Sequence, residues 1–127
     1  MKALLDTHAF LWAIGNTAKL SDTARRIIRD EANTLLVSAA SLWQIALKVR
    51  AGKLKLPEQR EYFIEHMSLL KAQPLAVEAV HVLSVFSLPD HHRDPFDRIL
   101  VAQCITEGIP IVTGDAAICE YAVQVIW

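Results

Sequence analysis

Three carboxylates in this 127-residue chain stand where a parallel sheet would end its strands. Asp6, with Thr7 beside it, follows the apolar run Ala3 to Leu5. Asp115 follows a second run that ends in Thr113 and Gly114. Asp97 lies in the sequence Asp94-Pro95-Phe96-Asp97, which opens a helical pattern leading into that second run. Carboxylates that converge on one edge repel each other unless a cation sits among them. A water-accessible set of oxygen donors suits Mg²⁺ or Mn²⁺. Such ions activate water and stabilise charge on a phosphoryl group. Each acid also has an ordinary structural use. Asp6 and Asp115 suit turns or helix caps. Asp94 suits an N-cap, and Asp97 then falls at N3, where the helix dipole favours a negative charge.

Positioning these groups requires strands that alternate with helices. Ala3–Leu5 is read as a first strand, followed by a helix over His8–Ile14 that Gly15-Asn16 ends. Ser21 caps a helix over Asp22–Glu31, with Ala24, Ile27 and Ile28 inside. Thr34–Ser38 is a second buried strand. Ala39–Ala51 is a helix stopped by Gly52, with Leu42, Ile45, Ala46 and Val49 as its core stripe and Gln44 off it. Pro57 suits the first turn of a helix reaching Leu70. Ala72–Leu75 is a short third strand, and Val77–Leu88 is a strongly apolar helix. After the polar loop Pro89–Arg93, a helix runs from Asp94 to about Glu107. Pro110–Thr113 is the fourth strand, Ala116–Glu120 a helical piece and Val123–Trp127 an edge strand. The alternation implies an α/β sandwich of three layers, one domain over residues 1–127, with a parallel sheet of about five strands between helices.

Composition narrows the classes. Hydrophobic residues make up 53% of the chain, and mean hydropathy is +0.27. This fits strands buried on both faces, or apolar surface kept for a partner. No run has the ~18 apolar residues of a membrane span, and no signal peptide is visible, so the expected location is cytoplasmic. Net charge is −1, so any nucleic-acid affinity rests on a local basic patch. Cys104 and Cys119 lack zinc-site spacing, and Cys104 suits a core position. No Gly-rich phosphate loop is present. A phosphoacceptor receiver would place an acid where Ser38 stands. A haloacid-dehalogenase-like phosphatase would need Asp-x-Asp where Asp6-Thr7-His8 stands. A serine hydrolase would need a Gly-x-Ser-x-Gly elbow, which is absent.

With these residues placed, the chain resembles the PIN domain family, in particular the VapC-type toxins of bacterial toxin–antitoxin pairs. The likeness runs nearly end to end. It is carried by Leu5-Asp6-Thr7-His8 with Leu11-Trp12; by Ser38-Ala39-Ala40-Ser41-Leu42-Trp43 with Ile45-Ala46 and Lys48; by His92-Arg93-Asp94-Pro95-Phe96-Asp97-Arg98 with Ala102-Gln103; and by Val112-Thr113 with Asp115. The resemblance implies a Mg²⁺- or Mn²⁺-dependent endoribonuclease with four acidic positions around the metal. Asp6, Asp97 and Asp115 match three of them. Thr7, Ser38 and Thr113 match supporting hydroxyl positions, and Asp94 a capping position that supports the site. It also implies an RNA substrate, a homodimer and a cognate antitoxin in a heterotetramer or larger assembly. Arg93, Arg98 and His92 lie where they could meet substrate phosphates, and His91 and His92 read as loop residues rather than metal ligands. The chain departs from the pattern at the second acidic position, where Gln44 replaces the usual Glu. Gln keeps one oxygen donor and loses a full charge. Two functions therefore remain: an attenuated metal-dependent ribonuclease, or a catalytically silent PIN domain that only dimerises and binds its antitoxin.

Overall fold

The computed structural model describes all residues, Met1–Trp127. Five parallel strands form one sheet: β1 (Lys2–Leu5), β2 (Thr34–Ser38), β3 (Gln73–Leu75), β4 (Ile111–Val112) and β5 (Val125–Ile126). Their spatial order is β3-β2-β1-β4-β5. Strand β1 is central, pairing Leu5 with Val37 on one side and with Val112 on the other. Six α-helices join the strands: α1 (Thr7–Gly15), α2 (Asp22–Arg29), α3 (Ala39–Arg50), α4 (Arg60–Leu69), α5 (Ala79–Ser84) and α6 (Pro95–Glu107).

Successive strand residues point to opposite faces. Ala3, Leu5, Leu35, Val37 and Val112 pack with Phe10, Ala24, Ile45 and Met67 on one face. Leu4, Leu36 and Ile111 pack with Leu100, Val101, Cys104 and Ile118 on the other. Both faces are covered, so consecutive residues Ala3–Leu5, Leu35–Val37 and Ile111–Val112 are apolar rather than alternating. Full burial of a Leu side chain contributes roughly 1.5–3 kcal/mol, and Leu4, Leu5 and Leu100 are all fully buried. The expected three-layer α/β sandwich is the observed fold.

The strand order places the chemistry. From β1 the chain builds outward to β2 and β3, then crosses back to β4 and β5. The order therefore reverses between β1 and β4, and such a reversal opens a crevice at the carboxyl ends of the strands. Asp6 follows β1, and Thr113 and Asp115 follow β4. Helix α6 leads into β4 from the other end of the sheet, so its first turn, with Asp97, lies at the same edge.

Three expectations are corrected. Helix α4 begins at Arg60, after extended Gln59, and not at Pro57. Leu54 and Leu56 instead tuck onto the core in the preceding link. The apolar segment after β3 is a helix of six residues, Ala79–Ser84, followed by a single 3-10 turn over Val85–Ser87. Glu78 fixes its start, its backbone N–H donating to His81 Nδ1 at 2.9 Å. Arg98 binds the carbonyls of Val85 and Leu88 beyond its end. Finally, α3 buries Ala40, Ser41, Gln44 and Ile45, while Ala46 is exposed. Its inner face thus includes polar residues that an apolar stripe passes over.

Candidate metal centre

Asp6 caps α1 from the end of β1. Its Oδ1 accepts from the Ala9 backbone N–H at 2.7 Å, and its Oδ2 accepts from the Thr113 hydroxyl at 2.5 Å. The Thr113 oxygen accepts in turn from the Asp115 backbone N–H at 3.0 Å. One hydroxyl therefore ties the ends of β1 and β4 together and sets the spacing of two carboxylates. Asp94 caps α6, accepting from Phe96 N–H at 2.8 Å. Pro95 fills the first helical position, where its missing N–H costs nothing. That start places Asp97 in the first turn.

His92 joins the acids. Its Nε2 lies 2.7 Å from Asp115 Oδ2 and 3.3 Å from Asp97 Oδ2. The Asp94 backbone N–H donates to Nδ1 at 3.0 Å, which assigns the ring proton to Nε2. His92 thus donates one N–H into the carboxylate pair. Sequence reasoning set this residue aside as a metal ligand and read it as a loop residue near the substrate. The available signal was its position two residues before the Asp94 cap, which lets its ring turn back onto the start of α6.

The carboxylates oppose one another electrostatically. Burial, then the Asp94 carboxylate, raise Asp97 from 3.8 to about 7; His92 opposes this, while Asp6 and Asp115 add to it. Burial also raises Asp6, against the hydrogen bonds from Thr113 and Ala9. A folded-state value above the unfolded one means that the folded chain binds more protons, so stability falls as pH rises. For Asp97 the loss runs through the window from 3.8 to about 7. In a chelator, Asp97→Asn should melt with the parent chain near pH 4 and increasingly above it towards pH 8. Paired thermal melts across that range check this, and a constant gap would count against it.

The other expected residues occupy a shell around these acids. Thr7 donates to Ser41 Oγ at 2.9 Å, joining the start of α1 to α3. Ser38, fully buried, caps α3 by accepting from Ala40 N–H at 3.0 Å. Gln44 lies one turn beyond Ser41 on the buried face of α3, and its Oε1 has no hydrogen-bond partner. An orphaned buried carbonyl oxygen costs about 1–3 kcal/mol. Gln44, Lys48, exposed Arg93 and Asp94 line an open cavity of about 430 Å³. Arg98, expected at substrate phosphates, is a loop anchor instead. It donates to Pro89 O at 2.9 Å and to the Tyr121 hydroxyl at 3.1 Å, besides the carbonyls of Val85 and Leu88.

This donor set fits a hard divalent cation. Asp97, Asp115 and His92 bring ligand atoms within 4.8 Å of one another, Asp6 is tied to the Asp115 turn through Thr113, and an unpartnered amide oxygen lies on the buried face of α3. Cys104, the one buried thiol, sits in the core, its pKa pushed by burial to about 12, so soft ligands play no part.

Comparison with known proteins gives four findings. The family model described as PIN domain matches residues 3–124. Ribonuclease VapC16 of Mycobacterium tuberculosis is 41% identical over 58 residues, a segment that spans 45% of this chain and 41% of that protein. The DNA-bound VapBC structure from Salmonella typhimurium superposes with a TM-score of 0.71 at 14% identity, over 98% of this chain and 96% of that one. FitAcB from Neisseria gonorrhoeae gives 0.64 at 14% identity, over 97% and 95%. At that identity the structural likeness is one of fold.

Proposed function

The chain belongs to the PIN domain family, and on that premise we propose that it is a metal-dependent endoribonuclease acting as the toxin of a toxin–antitoxin pair. The observation that supports this reading is the cluster of Asp97, Asp115 and His92, whose ligand atoms lie within 4.8 Å of one another, with Asp6 tied to the Asp115 turn through the Thr113 hydroxyl. These three would hold Mg²⁺ or Mn²⁺, with Gln44 Oε1 as a neutral fourth donor. When bound, the ion polarises the scissile phosphate and lowers the pKa of the attacking water.

The chain's own residues do the rest. Thr113 fixes the Asp6 carboxylate. Asp94 seats α6, and hence Asp97. His92 donates its Nε2–H to the Asp115 and Asp97 carboxylates. Arg93 and Lys48 rim the adjoining cavity, where they meet phosphates along the RNA. Ser38 and Thr7 brace the α1–α3 contact beneath.

The name of the mycobacterial relative supports ribonuclease activity, and the toxin–antitoxin neighbours support a protein partner. Two apolar surfaces on this chain suit such partners and a homodimer. One is the groove between α3 and α4, lined by Leu42, Val49, Phe63 and Met67. The other surrounds α5, where Val82, Leu83 and Phe86 are exposed. No helix is long and apolar enough to cross a membrane.

The rival reading, a catalytically silent PIN domain, rests on Gln44 alone. The test is cleavage of structured RNA by metal-stripped protein reloaded with Mg²⁺ or Mn²⁺. Cleavage that a chelator stops is the expected result. No cleavage by metal-loaded protein, with Glu restored at position 44 as well, would count against a nuclease.

A further inference from the structure

Beside Asp6 and Asp115 lies a cavity of about 290 Å³ whose other walls are His8, Trp12, Lys19 and Trp127. Its aromatic rings form one connected surface. The Trp12 and Trp127 ring centroids are 5.9 Å apart, and those of His8 and Trp12 are 5.6 Å apart. Lys19 Nζ lies 5.8 Å from the Trp12 ring centroid. Trp127 seats directly on Gly114, where a Cβ would stand 2.8 Å from the indole. Gly114 thus lets the indole close on the turn that carries Asp115. Trp127 remains about a third exposed, and His8 and Lys19 face solvent. Trp12 packs one side on the core, and the rings stay partly open beside Asp6 and Asp115.

We propose that this cavity is a nucleobase subsite: a base adjoining the cleaved phosphate of a single-stranded RNA segment stacks against Trp12 and Trp127, while Lys19 meets the next phosphate. The inference rests on the ribonuclease reading and extends it to the part of the substrate beside the reacting bond. The charge layout selects the ligand. Carboxylates, the Lys19 ammonium and a set of aromatic rings line the same cavity. A cationic side chain drawn to the acids would be repelled at Lys19. Single-stranded RNA carries phosphates along its backbone and an uncharged planar base beside them, so a phosphate meets Lys19 while the base meets the rings. Sequence-specific RNA recognition commonly takes this form, with an unstacked base held on aromatic side chains. Stacking is tolerant of base identity, so the subsite demands unpaired RNA more than a particular base.

The test uses the whole chain and a short single-stranded RNA labelled for anisotropy, in Ca²⁺, with a gel to confirm that the probe stays intact. A set of probes carries one abasic position moved along the strand. One abasic position should weaken binding to the parent chain about fivefold or more. Trp127→Ala should weaken binding of the intact probe comparably and lose all sensitivity to that position, with Trp127→Phe intermediate. Lys19→Ala should lower affinity and flatten the salt dependence. Equal abasic sensitivity in the parent and in Trp127→Ala, with folding confirmed by circular dichroism, overturns the subsite. So does a short arginine-rich peptide that occupies the cavity, judged by Trp127-dependent fluorescence, while RNA shows no such coupling. A parent chain that binds neither RNA nor Mn²⁺ in calorimetry overturns the ribonuclease reading itself.

Discussion

Asp97→Asn should abolish RNA cleavage, by about a thousandfold or more, while making the metal-free protein more resistant to heat above neutral pH. Cation catalysis at a phosphate supplies several kcal/mol, and each 1.36 kcal/mol is a factor of ten. Asn keeps the shape of the side chain and its place in the first turn of α6, so the fold is retained. What goes is the carboxylate whose value burial and neighbouring acids hold near 7. Its ionised form is a liability without a cation and a ligand with one. Activity and metal-free stability should therefore move in opposite directions, and Mn²⁺ should raise the melting temperature of the parent chain more than that of the variant. Cleavage rates and paired melts, with and without Mn²⁺, measure both. A variant that loses activity and stability together would point to a structural role for Asp97.

Gln44→Glu should act in the opposite sense. A carboxylate on the buried face of α3 restores a charge to a site that holds three. At effective dielectric constants near 20, an added charge close to a divalent ion is worth several kcal/mol before desolvation. A net gain of tenfold or more in Mg²⁺ affinity is the expected remainder. Cleavage should rise by a similar factor at limiting Mg²⁺ and converge on the parent at saturation, because the substitution changes occupancy. The metal-free variant should melt lower, since one more buried acid must ionise or stay protonated. Calorimetric titration with Mg²⁺ and cleavage against metal concentration check both halves. Unchanged affinity would show that Gln44 faces away from the ion. Cleavage seen only in the variant, at every metal concentration, would favour the silent PIN domain.

Which parts of this molecule were legible in the sequence follows from the kind of force that sets each. Strand β1 was legible because a run buried on both faces is apolar at every position, and its partners in the two cores are too. The start of α6 was legible because Asp94 and Pro95 satisfy local needs of the backbone. Asp6, Asp97 and Asp115 could be listed from pattern, and the reversal of strand order explains why the elements that carry them end at one edge of the sheet. Gln44 could not be placed by periodicity, because its burial comes from two helices closing on a polar face of α3. His92 was hidden for a related reason: its partners are a backbone N–H two residues away and an acid 23 residues on. The length of α5 was misjudged because an apolar run suggests a long buried helix, while His81 within it accepts the Glu78 N–H at its start and Arg98, from outside the run, holds the carbonyls beyond its end. Arg98 itself has the charge of a phosphate contact and the surroundings of a brace.

The loop that carries His92 has one more property. The backbone N–H groups of His91 and His92 both donate to the buried Tyr121 hydroxyl, at 3.2 and 2.9 Å. The loop between Leu88 and Asp94 is therefore pinned from within to the core that seats α6 on the sheet, and it acquires its shape in the same cooperative event as that core. Its conformational entropy is already lost before any ligand arrives. Association at the acidic cluster then draws on no disorder-to-order transition in this wall, and variation in how tightly ligands bind reflects the groups they meet there rather than a loop that must first be organised.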